Sequence, residues 1–137
     1  MRFRNLLNLV GAVVGASGVA MFAAAIVSLV YQEWVVAGQI ALAGVITVAV
    51  GAVLRRAFGT PTELSTREGF AAVGLAWSLI CVFGALPFLL TGSLTDIASA
   101  IFESAAGFTT TGSSVIGDPE ALPHGILFWR SFTQWVG

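Results

Sequence analysis

The sequence has no lysine, one cysteine and one histidine, and charged residues fill only 9% of its 137 positions. A soluble domain carries about 25% charged residues, so this chain lacks the polar surface needed to coat a globule in water. A single cysteine, Cys81, excludes an intrachain disulfide and any cysteine-based metal site. It lies in an apolar run, where a free thiol behaves as a small hydrophobe. One histidine and one cysteine leave no workable Ser/His/Asp or Cys/His set, and neither GxxxxGK(S/T) nor GxGxxG occurs. No enzymatic activity, cofactor or resident metal is expected. The net charge of -1 gives no basis for a nucleic-acid partner.

What the chain has is apolar length. Hydrophobic residues make up 57% of it and the mean hydropathy is +0.93. Three long apolar runs cover residues 6–30, 35–54 and 70–90. Each reaches the roughly 20 residues that a helix needs to cross about 30 Å of hydrocarbon. An all-α protein surrounded by membrane lipid follows. Arg2 and Arg4 give the first run the positive start of a signal peptide, but its apolar stretch far exceeds the roughly 7–15 residues of such a segment. It is expected to stay as a helix.

The arginines set orientation. Arg2 and Arg4 precede the first run, while Arg55, Arg56 and Arg67 fall between the second and third. The positive-inside rule puts the N-terminus and the 55–68 loop in the cytoplasm. The "YQEW" turn at 31–34 and the region 91–123 then face outward, with Tyr31 and Trp34 suited to the interface. Gly11 and Gly15 form a GxxxG, and Gly44 and Gly51 lie on the second run. Such glycines allow close helix approach, yet alanine- and glycine-rich spans also produce them by chance. The first two spans offer no chemistry and read as scaffold.

After residue 90 the pattern changes. Ser93 and Asp96 have the S-x-x-D form of a capping box, which predicts a helix over 94–107 with Ile97, Ala98, Ile101, Phe102 and Ala105 on one face. It is too short to span, and apolar helices of about 10–14 residues are more often buried or re-entrant. Gly107 is expected to stop it. "TTTGSS" at 109–114 follows, then a polar loop, then a new apolar start at 123–137. Non-helical backbone at membrane depth is tolerated only inside protein or along a water-filled cavity. The order of span, half-helix, polar segment and new span is that of a pore loop.

A cation leaving water must be offered replacement oxygens, and rings of backbone carbonyls can supply them. Thr109, Thr110 and Thr111 are β-branched and favour extended backbone. Gly112 reaches backbone angles that others reach only at a cost. With Ser113 these residues, 109–113, form the candidate filter. The C-terminal end of the half-helix adds about half a negative charge, and Asp96, Glu103, Asp118 and Glu120 make the outer region acidic. Glu103 is either an ion site or a partner for donors behind the filter, the second being preferred. Arg130 is either its counter-ion or a side chain snorkelling outward. His124 receives no role.

"ELSTREGF", "FGALPFLLTGS", "FESAAGFTTTGSS" and "LPHGILFWRSFTQWVG" resemble the Trk-type potassium uptake family, the membrane subunit of the wider Trk/Ktr/HKT superfamily. The resemblance implies a two-helix N-terminal unit (1–54), a cytoplasmic loop (55–68) and the first of four helix–pore-loop–helix repeats (69–137). Within that repeat it implies an outer helix at 69–90, a pore helix at 94–107, a filter at 109–113 and the start of an inner helix at 123–137. It further implies K⁺ as transported ion, the remaining pore repeats as partners, a homodimer and a cytoplasmic nucleotide-binding regulatory subunit. The location implied is the bacterial inner membrane. A filter glycine, here Gly112, goes with K⁺ preference, where sodium-selective plant relatives carry serine. The inner helix is short at residue 137, so the sequence is expected to be an N-terminal fragment. The alternatives are a small membrane anchor or helper protein, in which 109–114 is a surface loop, and a subunit of a tetrameric cation channel.

Overall fold

Twenty-eight residues without a proline make the first helix, α1, Phe3–Val30; α2, Trp34–Phe58, follows after a three-residue turn. At about 1.5 Å per residue, α2 alone is roughly 38 Å long, enough to cross a bilayer. The computed structural model describes residues 3–59 and 63–137. Arg2 lies outside the described residues.

The two helices pack along glycines. A Cβ on Gly51 would lie 2.6 Å from the Gly15 nitrogen and 2.7 Å from the Gly11 carbonyl, and one on Gly18 would lie 2.8 Å from the Val48 nitrogen. Pairing 11 with 51 and 18 with 48 makes the hairpin antiparallel. The GxxxG is therefore a packing seam, where small residues let backbones approach. Asn8 ends the hairpin by donating its amide to the carbonyls of Arg55, at 3.0 Å, and Gly59. Those are carbonyls that a helix C-terminus leaves unpaired.

The third span starts earlier than hydropathy suggests and is not continuous. Helix α3, Thr66–Gly84, opens with Ser65, whose hydroxyl accepts the Glu68 N–H while the Glu68 carboxylate accepts the Ser65 N–H. The capping box is here, not at Ser93 and Asp96. A break at Ala85 separates α3 from α4, Leu86–Leu90, with Pro87 in its first turn. Proline has no N–H to continue the ladder. The indole N–H of Trp129 meets the Gly84 carbonyl at the break, at 3.0 Å.

Helix α5 is Ile97–Phe108 and α6 is His124–Val136, with a 3₁₀ turn at Pro119–Ala121 between them. Helix α6 packs on both α1 and α5. Its Ile126 and Trp129 are fully buried, as are Met21 of α1, Ile40 of α2 and Phe88 of α4. Among the described residues no strand occurs. The chain is an all-α membrane protein with three helices, α1, α2 and the broken Thr66–Leu90, long and apolar enough to cross a bilayer.

Candidate functional site: the segment after the half-helix

Helix α5 begins three residues later than the sequence pattern suggests, because Asp96 itself is the cap. Its carboxylate accepts the Ser99 N–H and hydroxyl, both at 2.9 Å. The Ser99 N–H, then the Ser99 hydroxyl, hold the Asp96 carboxyl below its ordinary range. At the other end Phe108 is buried, edge-on to Trp77 and Trp129 at ring separations of 6.4 and 6.2 Å. These aromatic contacts fix where the helix delivers the chain.

Gly107 does not stop α5. It lies within the helix, and its missing side chain makes room for Thr133 of α6. The stop is built by the threonines. The Thr110 N–H reaches the Gly107 carbonyl at 2.9 Å and the Thr111 N–H reaches the Ala106 carbonyl at 3.0 Å, with Thr110 at φ 56°. Those two bonds and one left-handed residue make a Schellman cap, a position that usually takes glycine. A β-branched residue at positive φ is strained, and strain of this kind clusters at functional sites. Thr109, at φ -88° and ψ 0°, is not extended either. The expectation of an extended Thr109–Thr110 fails because the helix end takes both residues for its cap.

Beyond the cap the chain leaves regular structure from Thr111 to Ser114, and Gly112 takes φ +76°, which glycine adopts freely. Thr109, Thr110, Thr111, Gly112 and Ser113 form one exposed strip. Among the described residues no hydrogen bond ends on the carbonyls of Thr110, Thr111, Gly112 or Ser113. The Thr109 carbonyl differs, taking the Thr110 hydroxyl at 2.7 Å.

Behind the strip lies Glu103, its side chain 2% exposed. Its carboxylate accepts the Ser114 hydroxyl at 3.0 Å, the Val115 N–H at 3.1 Å and the Arg130 Nε at 2.6 Å. A buried charge is tolerable when paired and hydrogen-bonded, and here all three partners meet on one group. Glu103 thus serves donors behind the segment, and Arg130 is its counter-ion. What this arrangement does is mechanical: α5, α6 and the residues just after the strip are tied at a single carboxylate. No cluster of three or more acidic, histidine or cysteine side chains suited to a metal occurs among the described residues.

Residues 37–137 match the family model described as TrkH, cation transport protein. The chain belongs to this family. It is 38% identical over 143 residues to the Trk system potassium uptake protein TrkH of Escherichia coli K12, a match covering all of this chain and 29% of that protein. The protein of the same name from Halomonas elongata is 35% identical over 142 residues, again across the whole chain and 29% of the relative. Among solved structures, the crystal structure of the potassium transporter TrkH from Vibrio parahaemolyticus superposes with a TM-score of 0.92 at 33% identity. That match covers 99% of this chain and 29% of the other. The chain spans under a third of the length of these family members.

Nothing in the sequence announces the contact between Glu33, in the 31–33 turn, and His124. Glu33 accepts the His124 backbone N–H at 3.0 Å and pairs with its Nδ1 at 3.0 Å. The His124 ring lies flat on Tyr31, centroids 3.9 Å apart and planes 4° off parallel. Burial pushes the Glu33 carboxyl up, but the His124 N–H and ring and the Gly125 N–H together hold it below its ordinary range. The only available signal was an acid in the turn joining two otherwise apolar spans.

Proposed function

We propose that the chain takes part in potassium uptake across the bacterial inner membrane, supplying one of four selectivity-filter segments. The observation that carries this is the run of free carbonyls from Thr110 to Ser113, following a half-helix within a chain of apolar spans. Potassium is the transported substrate. Carbonyls without donors stand in for its hydration shell, and the C-terminal dipole of α5 favours a cation nearby. The names of the Escherichia coli and Halomonas relatives support potassium as the ion. No covalent chemistry and no cofactor are invoked.

A ring of oxygens needs further strands, so the remaining pore repeats are the first partners. A homodimer and a cytoplasmic nucleotide-binding regulatory subunit complete the assembly implied by the family resemblance. Arg55 and Arg56 in the last turn of α2 and Arg67 in the first turn of α3 support an inward-facing loop there. The N-terminus is then cytoplasmic and the 31–33 turn faces outward.

Accessibility tests the assignment. In a Cys81→Ser background, Ser113→Cys should react with a charged thiol reagent added outside, block K⁺ uptake, and react more slowly when K⁺ is present. Complete labelling with unchanged uptake would reject a place for Ser113 on the ion path.

A further inference from the structure

Helix α6 starts without a cap of its own. Its N-cap is Pro123, which offers no side-chain acceptor, and the first N–H groups of a helix have no intrahelical partners. The missing acceptor comes from 91 residues earlier. Glu33, in the turn between α1 and α2, takes the His124 N–H on Oε1 at 3.0 Å and the Gly125 N–H on Oε2 at 3.4 Å. A negative charge is favoured at this end of a helix. Beneath the same turn of α6, Gly125 lies against Ser28 and the Ala24 carbonyl of α1, where a Cβ would meet that oxygen at 2.9 Å. The hairpin therefore grips the first turn of α6 from two sides.

Six residues further along α6 is Arg130, which holds Glu103, and Glu103 holds Ser114 and Val115 at the end of the candidate filter. We propose that Glu33 is a positioning residue for the filter segment: by capping α6 from the N-terminal hairpin, it sets where Arg130 places Glu103 and hence where residues 109–115 rest. The hairpin is then more than scaffold. It supplies a carboxylate that caps the inner helix and fixes its first turn against the α1–α2 turn. The effect on ions rests on the filter assignment above; the mechanical coupling does not.

Hydrogen exchange, resolved to single amides on the protein in lipid nanodiscs, separates the two. Glu33→Ala should speed exchange at His124 and Gly125 by about tenfold, the loss of a charge-assisted hydrogen bond. Exchange at Val115 should rise with it, while amides of the α1–α2 seam stay as in wild type. Glu33→Gln, with one acceptor oxygen in place of two, should keep His124 protected and expose Gly125. His124→Ala, which keeps both backbone donors, should leave Gly125 protected. Unchanged exchange at His124 and Gly125 in Glu33→Ala, or an unmoved Val115 once they loosen, would overturn the proposal. In parallel, K⁺ preference over Na⁺ should fall in Glu33→Ala and recover in part in Glu33→Gln. Loosening at Val115 with unaltered ion preference supports the coupling and counts against the filter assignment instead.

Discussion

The Nε of Arg130 lies 2.6 Å from Oε1 of Glu103, joining α6 to α5 directly behind the exposed strip. Both groups sit where charge is costly, the glutamate side chain at 2% and the arginine at 18% exposure. Removing the arginine leaves a buried carboxylate without its cation, a change that typically costs about 3–5 kcal/mol. Arg130→Met should therefore lower thermal stability in detergent sharply. Arg130→Met combined with Glu103→Gln should recover much of the loss, since no buried charge then remains. A double variant as unstable as the single one would show that the pair is not the source.

Thr110 holds a left-handed backbone that glycine adopts without strain. Thr110→Gly should preserve the helix stop and stabilise the local structure by about 1 kcal/mol. Thr110→Val retains the unfavourable branching and loses the hydroxyl bond to Thr109, so it should be the less stable of the two. Comparing melting temperatures in one detergent decides the order, and a more stable valine variant would contradict the cap described above.

Close approach, not helix ending, explains Gly107. Gly107→Ala drives a methyl group into Thr133 and should destabilise by about 1–3 kcal/mol, as overpacking does. Gly38 and Gly74 are helical glycines with nothing within 4 Å of an added Cβ. Alanine at either should be neutral or mildly stabilising. Equal effects at 107 and 38 would remove the packing argument.

The Glu33 clamp has a pH signature. Its carboxyl is held below the ordinary value of 4.5 despite some burial, by the His124 and Gly125 N–H groups and the His124 ring. A lowered carboxyl contributes stability that is present above its unfolded value and lost as pH falls through the folded one. Exchange protection at His124 and Gly125 should hold above about pH 4.5 and fade below that. Glu33→Gln should flatten this dependence. A wild-type profile as flat as the variant's would mean that the carboxylate is not what holds α6.

Much of this architecture is legible in the chain because hydropathy acts over long windows. The three spans, the short half-helix and the position of the polar strip all follow from where apolar runs stop. Details set by single residues are harder to read. Ser93 and Asp96 mimic a capping box, but Asp96 alone reaches the free N–H groups, so α5 starts at Ile97. Thr110 is a residue that local preference argues against in a left-handed turn, so the sequence points to Gly107, the obvious glycine, as the helix stop. Glu103 and Arg130 stand out as charges in apolar surroundings, which suggests a pair without fixing it. Glu33 and His124 lie 91 positions apart, and nothing local to either one names the other.

The central claim is that the carbonyls from Thr110 to Ser113 face the ion, with Gly112 at φ +76° keeping them there. Uptake of K⁺ and Na⁺ by cells lacking their own potassium uptake, producing this chain together with the remaining pore repeats and carrying Gly112 or Gly112→Ser, tests it most directly. The account predicts that the serine variant loses preference for K⁺ and admits Na⁺. Intact K⁺ uptake at unchanged preference would contradict it.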